Sequence, residues 1–252
     1  FAGDINGDDY DDVITYSSDD DELCIHFHNS TTMTFDPFVN LTHSSDVVAL
    51  DFLDLNGNGV DNFVSIRTGG KVSLDQFNNK TNTFSNLDTL TVYQQGGTTT
   101  ATLTHFFSDY FSATSSTPSL MVVDQQNDGA QIGWNSANGG NLIRQTTNAI
   151  SGIAPEAGGG DFDGDGDLDI VGPTATGHRS IENEPTGWSG DNHNVILDFT
   201  NATILDHDYD MFPSILFPQQ GQSDGNHATV ECNLTAYRFV SGWGYDSLIT
   251  SS

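Results

Sequence analysis

The chain has 252 residues, with 35 acidic against 6 basic side chains, a formal charge of −29 and a sequence pI near 4.1. Such a surface repels nucleic acid and anionic membranes, which both demand positive patches, and no apolar run approaches the ~18 residues that would span a bilayer. The balance fits an exported, extracellular protein, with a halophilic origin as the rival explanation for so little lysine. No signal-peptide pattern and no initiating Met open the sequence, which starts at what reads as the end of a first strand. The expectation is a mature product or a fragment of a longer chain.

In chain order, the predicted elements are strands. Residues 12–16 and 23–28 read as strands, and in the latter Ile25 and Phe27 alternate with His26 and His28. Residues 46–54, containing Val47-Val48-Ala49-Leu50, lead into a polar loop, and residues 62–68 leave it. Gly69-Gly70 then turns the chain, residues 71–78 alternate again, and residues 87–93 complete the unit before Gly96-Gly97. The same order recurs at residues 120–123 and 130–134, and residues 245–250 carry a last strand signal. No stretch shows a helical period of 3.6 with caps at both ends.

Three of the connecting loops are variants of one another: Asp4-Ile-Asn6-Gly-Asp8-Asp-Tyr10-Asp-Asp12, Asp54-Leu-Asn56-Gly-Asn58-Gly-Val60-Asp-Asn62, and Asp161-Phe-Asp163-Gly-Asp165-Gly-Asp167-Leu-Asp169. Each puts oxygen side chains at positions 1, 3, 5 and 9 and glycine at 4, or at both 4 and 6. Each then enters an apolar segment: Val13-Ile14, Phe63-Val64 or Ile170-Val171. Hard cations such as calcium take six to eight oxygen ligands on a flexible loop, and alternate residues of a tight turn can point inward together. Acidic surface turns are the competing account, since Asp-Gly and Asn-Gly favour turns anyway. In the third loop, however, carboxylates ~5 Å apart would repel by roughly 3 kcal/mol per pair at an effective dielectric near 20, which a bound cation would relieve.

Spacing narrows the class. An EF-hand needs a bidentate Glu at position 12 and flanking helices, whereas position 12 here is Thr15, Ser65 or Gly172. A calcium β-helix stacks Gly-rich nonapeptides, hinted at only once by Gly158-Gly159-Gly160-Asp161. The first two loops lie 50 residues apart, the length of a four-stranded propeller blade. Degraded copies follow. Asp206, Asp208 and Asp210 keep positions 1, 3 and 5 with Ser214 at 9, while Thr117-Pro118-Ser119-Leu120 keeps only the exit, as does Tyr245-Asp246-Ser247-Leu248. Position 9 then falls at Asp12, Asn62, Ser119, Asp169 and Ser214, in steps of 50, 57, 50 and 45. For the weaker copies, chance in a chain rich in Asp, Ser and Thr is the alternative.

The run from Gly3 through Asp12 into Val13, and its sharper copy from Gly160 to Gly172, resemble the FG-GAP/VCBS repeats of integrin α-subunit-like β-propellers. As a periodicity the resemblance covers most of the chain; as specific residues it covers a small fraction. It implies an all-β fold, a single β-propeller over residues 1–252 built of four-stranded antiparallel blades, with about five repeats visible plus a partial one. In that family the loop joins the first two strands of a blade and binds Ca2+ through side chains at positions 1, 3, 5 and 9 and the backbone carbonyl at 7. Carried over, the first site is Asp4, Asn6, Asp8, the Tyr10 carbonyl and Asp12. The third is Asp161, Asp163, Asp165, the Asp167 carbonyl and Asp169. The second is Asp54, Asn56, Asn58, the Val60 carbonyl and Asn62; it departs from the pattern at Asn58 and Asn62 and is expected to bind more weakly. Asp206, Asp208 and Asp210 form a fourth candidate without an acid at position 9.

Cys24 and Cys232 lie in expected third strands of the first and last well-defined units, which a closed ring would make neighbours. A bridge across 208 positions would stabilise by roughly 4–5 kcal/mol on the loop-entropy model. Two buried free thiols are the alternative. Five Asn-x-Ser/Thr sequons begin at Asn29, Asn40, Asn79, Asn201 and Asn233, and three of them, Asn29, Asn79 and Asn233, are expected in exposed turns just past a third strand.

Catalytic signatures are missing from the sequence: no Gly-x-Ser-x-Gly elbow, no His-Glu-x-x-His, no Cys-x-x-Cys and no phosphate-cradling glycine loop before a helix. His26 and His28, two apart on a strand, could hold zinc but read better as solvent-facing side chains. Trp134, Trp188 and Trp243 read as packing between sheets before sugar platforms. The reading is therefore a non-enzymatic extracellular calcium-binding glycoprotein with an adhesive, recognition or structural role. Its partners would be other extracellular proteins, glycans or copies of itself in a polymer. A carbohydrate-binding lectin is the alternative, and a polysaccharide lyase or hydrolase, ill served by six basic residues, comes last.

Overall fold

The computed structural model describes residues 1–17, 22–42, 46–94, 96–109, 117–145, 150–153, 157–160, 169–174, 177–184, 187–193, 203–205, 214–220, 232–240 and 244–250. Towards the C-terminus many of these are described by their backbone alone. Two compact units result, residues 1–108 with 115–151, and residues 109–114 with 152–252.

The first unit holds three antiparallel sheets. In the first, β1 (Ala2–Gly3), β2 (Asp12–Ser17) and β3 (Glu22–His26) pair in sequence, and β6 (Val39–Thr42) pairs with β3. The hairpin of β4 (His28–Asn29) and β5 (Thr34–Phe35) lies between β3 and β6 in the chain. The second sheet runs β7 (Val47–Leu53), β8 (Asn62–Arg67), β9 (Lys71–Asn78) and β10 (Thr83–Thr91), each paired with the next. The third runs β11 (Leu103–Asp109), β12 (Ser119–Asp124), β13 (Asp128–Asn135) and β14 (Asn141–Arg144), and β15 (Ile150–Ser151) pairs with the start of β13.

Burial explains the order. Strands β8 and β12 are buried at nearly every position, as befits strands covered on both faces. On one side of the second sheet, Phe52, Phe63 and Phe77 join Ile5, Ile14, Leu23 and Ile25 of the first sheet and its loop. On the other, Val64, Ile66, Val72 and Leu74 join Leu120, Val122, Ala130 and Ile132 of the third. The pleat separates the two sets, so the second sheet sits between its neighbours with an apolar layer on each face. Trp134 packs against the latter layer, in agreement with its reading as a packing residue.

The second unit holds two more sheets of the same kind. One runs β16 (Gly158–Gly160), β17 (Asp169–Thr174), β18 (Gly177–Glu184) and β19 (Gly187–His193). The other runs β20 (Thr203–Leu205), β21 (Ser214–Gln220), β22 (Cys232–Val240) and β23 (Gly244–Thr250). The only helical piece among the described residues is the 3-10 turn Ala137–Gly139, and no helix among them is long and apolar enough to cross a membrane.

The fold is all-β, and position 9 of the loop motif begins the second strand of each of the five larger sheets: Asp12, Asn62, Ser119, Asp169 and Ser214. Three sequence expectations are corrected. The terminal strand signal does not open a partial sixth repeat; β23 pairs with β22 as the fourth strand of the fifth sheet. The fourth strand of the second sheet starts at Thr83, not at 87, because its polar first residues pair through the backbone with Asn78 to Asp75 before a bulge at Asn86 to Asp88. Asn233 is not beyond a third strand but second in β22.

Candidate metal loops

Residues 4–11 connect β1 to β2, and residues 54–61 connect β7 to β8. Both loops turn on left-handed residues at positions 4 and 6: Gly7 and Asp9 in the first, at φ 78° and 67°, and Gly57 and Gly59 in the second, at 73° and 81°. Glycine adopts this conformation at no steric cost, and aspartate tolerates it. Apolar position 2 fastens each loop, since Ile5 and Leu55 are wholly buried in the layers on either face of the second sheet. Phe162 continues that pattern in the sequence.

Position 1 organises the turn. The Asp4 carboxylate accepts from the backbone N–H groups of Gly7 at 2.7 Å, Asp8 at 3.1 Å and Asp9 at 2.8 Å. Asp54 accepts likewise from Asn58 at 3.0 Å and Gly59 at 2.7 Å. Position 5 accepts from position 7 in both, Asp8 from Tyr10 at 3.1 Å and Asn58 from Val60 at 2.9 Å. Position 9 lies at the bottom. Asp12 is wholly buried and accepts from His28 N–H at 2.9 Å and Ile5 N–H at 3.3 Å. Burial pushes its carboxyl up to about 6, against the pull of those two N–H groups, and Asp8 and Asp4 add repulsion.

Asn62 occupies the same place in the second loop and is also wholly buried, yet neither its Oδ1 nor its Nδ2 has a hydrogen-bond partner. The Leu55 N–H, counterpart of the Ile5 donor, is spent on the Leu53 carbonyl at 2.9 Å. A buried amide without partners costs free energy, and a cation would give its oxygen one. The oxygen-only donors of these two loops could hold a hard cation. Among the described residues, no three His, Cys, Asp or Glu side chains stand together closely enough to hold a metal. Of its ligand positions the second loop contributes only Asp54 to such a count, and the Asp4 carboxylate is turned to three backbone N–H groups.

Asp161, Asp163, Asp165 and Asp167 lie outside the described residues, as do Asp206, Asp208, Asp210, Asn201 and Trp243. Asp169 is described: it is buried and accepts from the Asn183 N–H at 2.9 Å, as Asp12 does from His28. Cys24 carries a free, half-buried thiol with Sγ 3.8 Å from Asn40 Oδ1, and only the backbone of Cys232 is described. His26 and His28 are half-buried rather than open to solvent; His26 lies against Phe38 and His28 stacks on Tyr10. Asn29 begins the β4–β5 turn, donating to Asp36, and Asn40 donates to Glu22 from strand β6. Asn79 is exposed in the β9–β10 turn and donates to the Asn6 carbonyl at 2.8 Å.

Asp61, at position 8, escaped the motif reading. Its backbone N–H donates to the Asp4 carbonyl at 2.7 Å, and its carboxylate lies so close to Gly3 that a Cβ there would collide with it. Burial raises that carboxyl above its ordinary value against the pull of the Asp4 backbone, with Asp54, Asp4 and Asp11 adding repulsion. No sequence signal marked it, because the contact joins loops 50 residues apart.

No family model matches the chain, and no curated protein matches it. Among solved structures, it is similar to the crystal structure of a protein from Lactobacillus plantarum, with a TM-score of 0.54 and 11% identity over 95% of this chain and 67% of that one. That likeness shows an all-β fold and nothing finer.

Proposed function

We propose that this chain is a calcium-binding β-propeller glycoprotein of the extracellular space, whose work is adhesion, recognition or assembly. The observation that carries the reading is the recurrence of one junction: in each of five antiparallel sheets with at least four strands, position 9 of the loop motif begins the second strand. Successive meander sheets packed face to face in the first unit are what propeller blades require, and repeats of this length supply them. Asn62, buried and unpartnered, supports the cation, and so do the left-handed turns at positions 4 and 6. All donors of a site come from one short loop, so the ion's work is to hold that loop in shape.

A second reading, carbohydrate binding, has one observation in its favour. A cleft of about 240 Å³ on the second sheet is lined by Arg67, Lys71, Ser73, Asp75, Asn86 and Thr89, groups able to bond sugar hydroxyls. Most of them already bond one another, Arg67 to Asp75 at 3.3 Å and Asn86 to Asp75 at 2.9 Å, which favours a structural network. Glycan-array binding lost in Lys71→Ala would favour the lectin.

Elemental analysis and thermal melts with and without chelator test the main reading. Calcium bound to the native state alone stabilises by mass action, so excess EDTA should lower the midpoint, and Asp163→Ala with Asp165→Ala should remove most of the third loop's share. An unchanged melt in EDTA with no metal found would sink it.

A further inference from the structure

We propose that the first two loops take up cations as a coupled pair, with Asp61 as the positioning residue that links them. The inference rests on the cation reading above and adds to it a dependence of one site on the other. Asp61 holds the start of the neighbouring loop at two points, its N–H on the Asp4 carbonyl and its carboxylate against Gly3. A Cβ on Gly3 would collide with that same carboxylate, so the end of β1 is held too. Gly7, position 4 of the first loop, lies under Val60, position 7 of the second: a Cβ there would come within 2.9 Å of Val60 Cγ2. Asn79, from the turn after β9, holds the carbonyl of position 3 through its bond to Asn6.

In its own loop Asp61 stands between two ligand positions, the Val60 carbonyl and Asn62. Closing the second loop on an ion fixes the peptide units on either side of Asp61. The fixed Asp61 N–H and carboxylate then fix the chain at Gly3 and Asp4, from which the first loop's donors spring. Ordering done for one ion is thus already done for the other, which is positive coupling, and linkage makes it reciprocal. Charge acts in the same sense. Asp61 lies near Asp4, Asp11 and Asp54, so a cation in either loop lessens the repulsion within both.

The test uses the full chain and terbium, an oxygen-seeking stand-in for calcium excited through tyrosine. Tyr10 is position 7 of the first loop, so the luminescence lost in Tyr10→Phe reports that loop. Disabling the second loop with Asp54→Asn should raise the terbium midpoint of the first by about fivefold or more. Asp61→Ala should give a comparable rise alone and little further rise on top of Asp54→Asn, while Asp61→Asn, which keeps a side-chain oxygen, should recover part of the loss. A midpoint unmoved by Asp54→Asn, or Asp61→Ala and Asp54→Asn effects that simply multiply, would overturn the coupling with the cation reading left standing. No Tyr10-dependent signal together with no calcium binding by calorimetry would overturn both.

Discussion

In the absence of added metal, the protein should lose stability as pH rises from about 4 to about 7, the opposite of ordinary acid denaturation. The cause is Asp12, wholly buried and pushed up to about 6 from 3.8. Between those values the native state keeps a proton that the unfolded chain releases. The native state binds more protons, so stability falls with rising pH across that window and levels off above it. At ~1.4 kcal/mol per pH unit the loss is ~3 kcal/mol, which for a protein of this size is a fall of roughly 6–12 °C in midpoint. Burial moves Asp51, Asp61 and Asp128 the same way, so none of them offsets it. The assay is thermal melting in EDTA at pH 5 and pH 7.5, for the natural chain and for Asp12→Asn. The amide keeps an oxygen for the His28 N–H but has no charge to bury, so it should remove ~3 kcal/mol of the pH dependence. General self-repulsion of a chain at −29 remains in both proteins, and the comparison cancels it. Calcium, by holding Asp12 ionised, should restore the midpoint at pH 7.5. Equal slopes for the two proteins in EDTA would refute the reasoning.

Two further outcomes follow from packing and covalent chemistry. Leu55→Ala should cost about 2–5 kcal/mol in urea unfolding, with or without calcium, because it empties a wholly buried site beneath the second loop. Non-reducing peptide mapping should recover Cys24 with its thiol free, as it stands half-buried beside Asn40; recovery of Cys24 joined to another cysteine would refute that.

The first two loops were legible as connections because oxygen side chains and glycines recur in them at fixed spacing, and the start of each second strand followed from one position counted five times. Strands buried on one or both faces were legible for a related reason: Lys71–Asn78 matches its expected bounds because Val72, Leu74 and Phe77 are committed to the layers beside it. Strands with little apolar content were not. Gly158–Gly160, Gly177–Glu184 and Gly187–His193 pair through backbone groups that any residue supplies, so their side chains carry almost no period. Edge strands such as Asn141–Arg144 are too short to show one. Asp61 was hidden for a third reason. In the sequence it is one more acid in an acidic loop, and its role arises only when two distant loops meet.

Asn62 is the place where the pattern departs from itself, and it offers the sharpest substitution. Asp12 and Asp169 each accept a backbone N–H, Asp12 from His28 just past a third strand and Asp169 from Asn183 near the end of one. Position 9 is thus asked both to close the sheet and to meet the loop. Asn62 has no hydrogen-bond partner, and its loop has already spent the Leu55 N–H elsewhere. An Asn62→Asp carboxylate would be buried with fewer donors than Asp12 has. Without metal at pH 7.5 it should therefore cost at least the ~3 kcal/mol that Asp12 costs. With calcium the sign reverses, because an added anionic ligand should tighten the second site by about tenfold or more. The expected signature is a lower midpoint than the natural chain in EDTA and a lower calcium concentration needed for half-recovery. An Asn62→Asp protein that melts like the natural chain in EDTA would show that position 62 is not desolvated as the fold requires. One that is destabilised in EDTA but gains nothing from calcium would show that position 9 of this loop closes the sheet without ever meeting an ion.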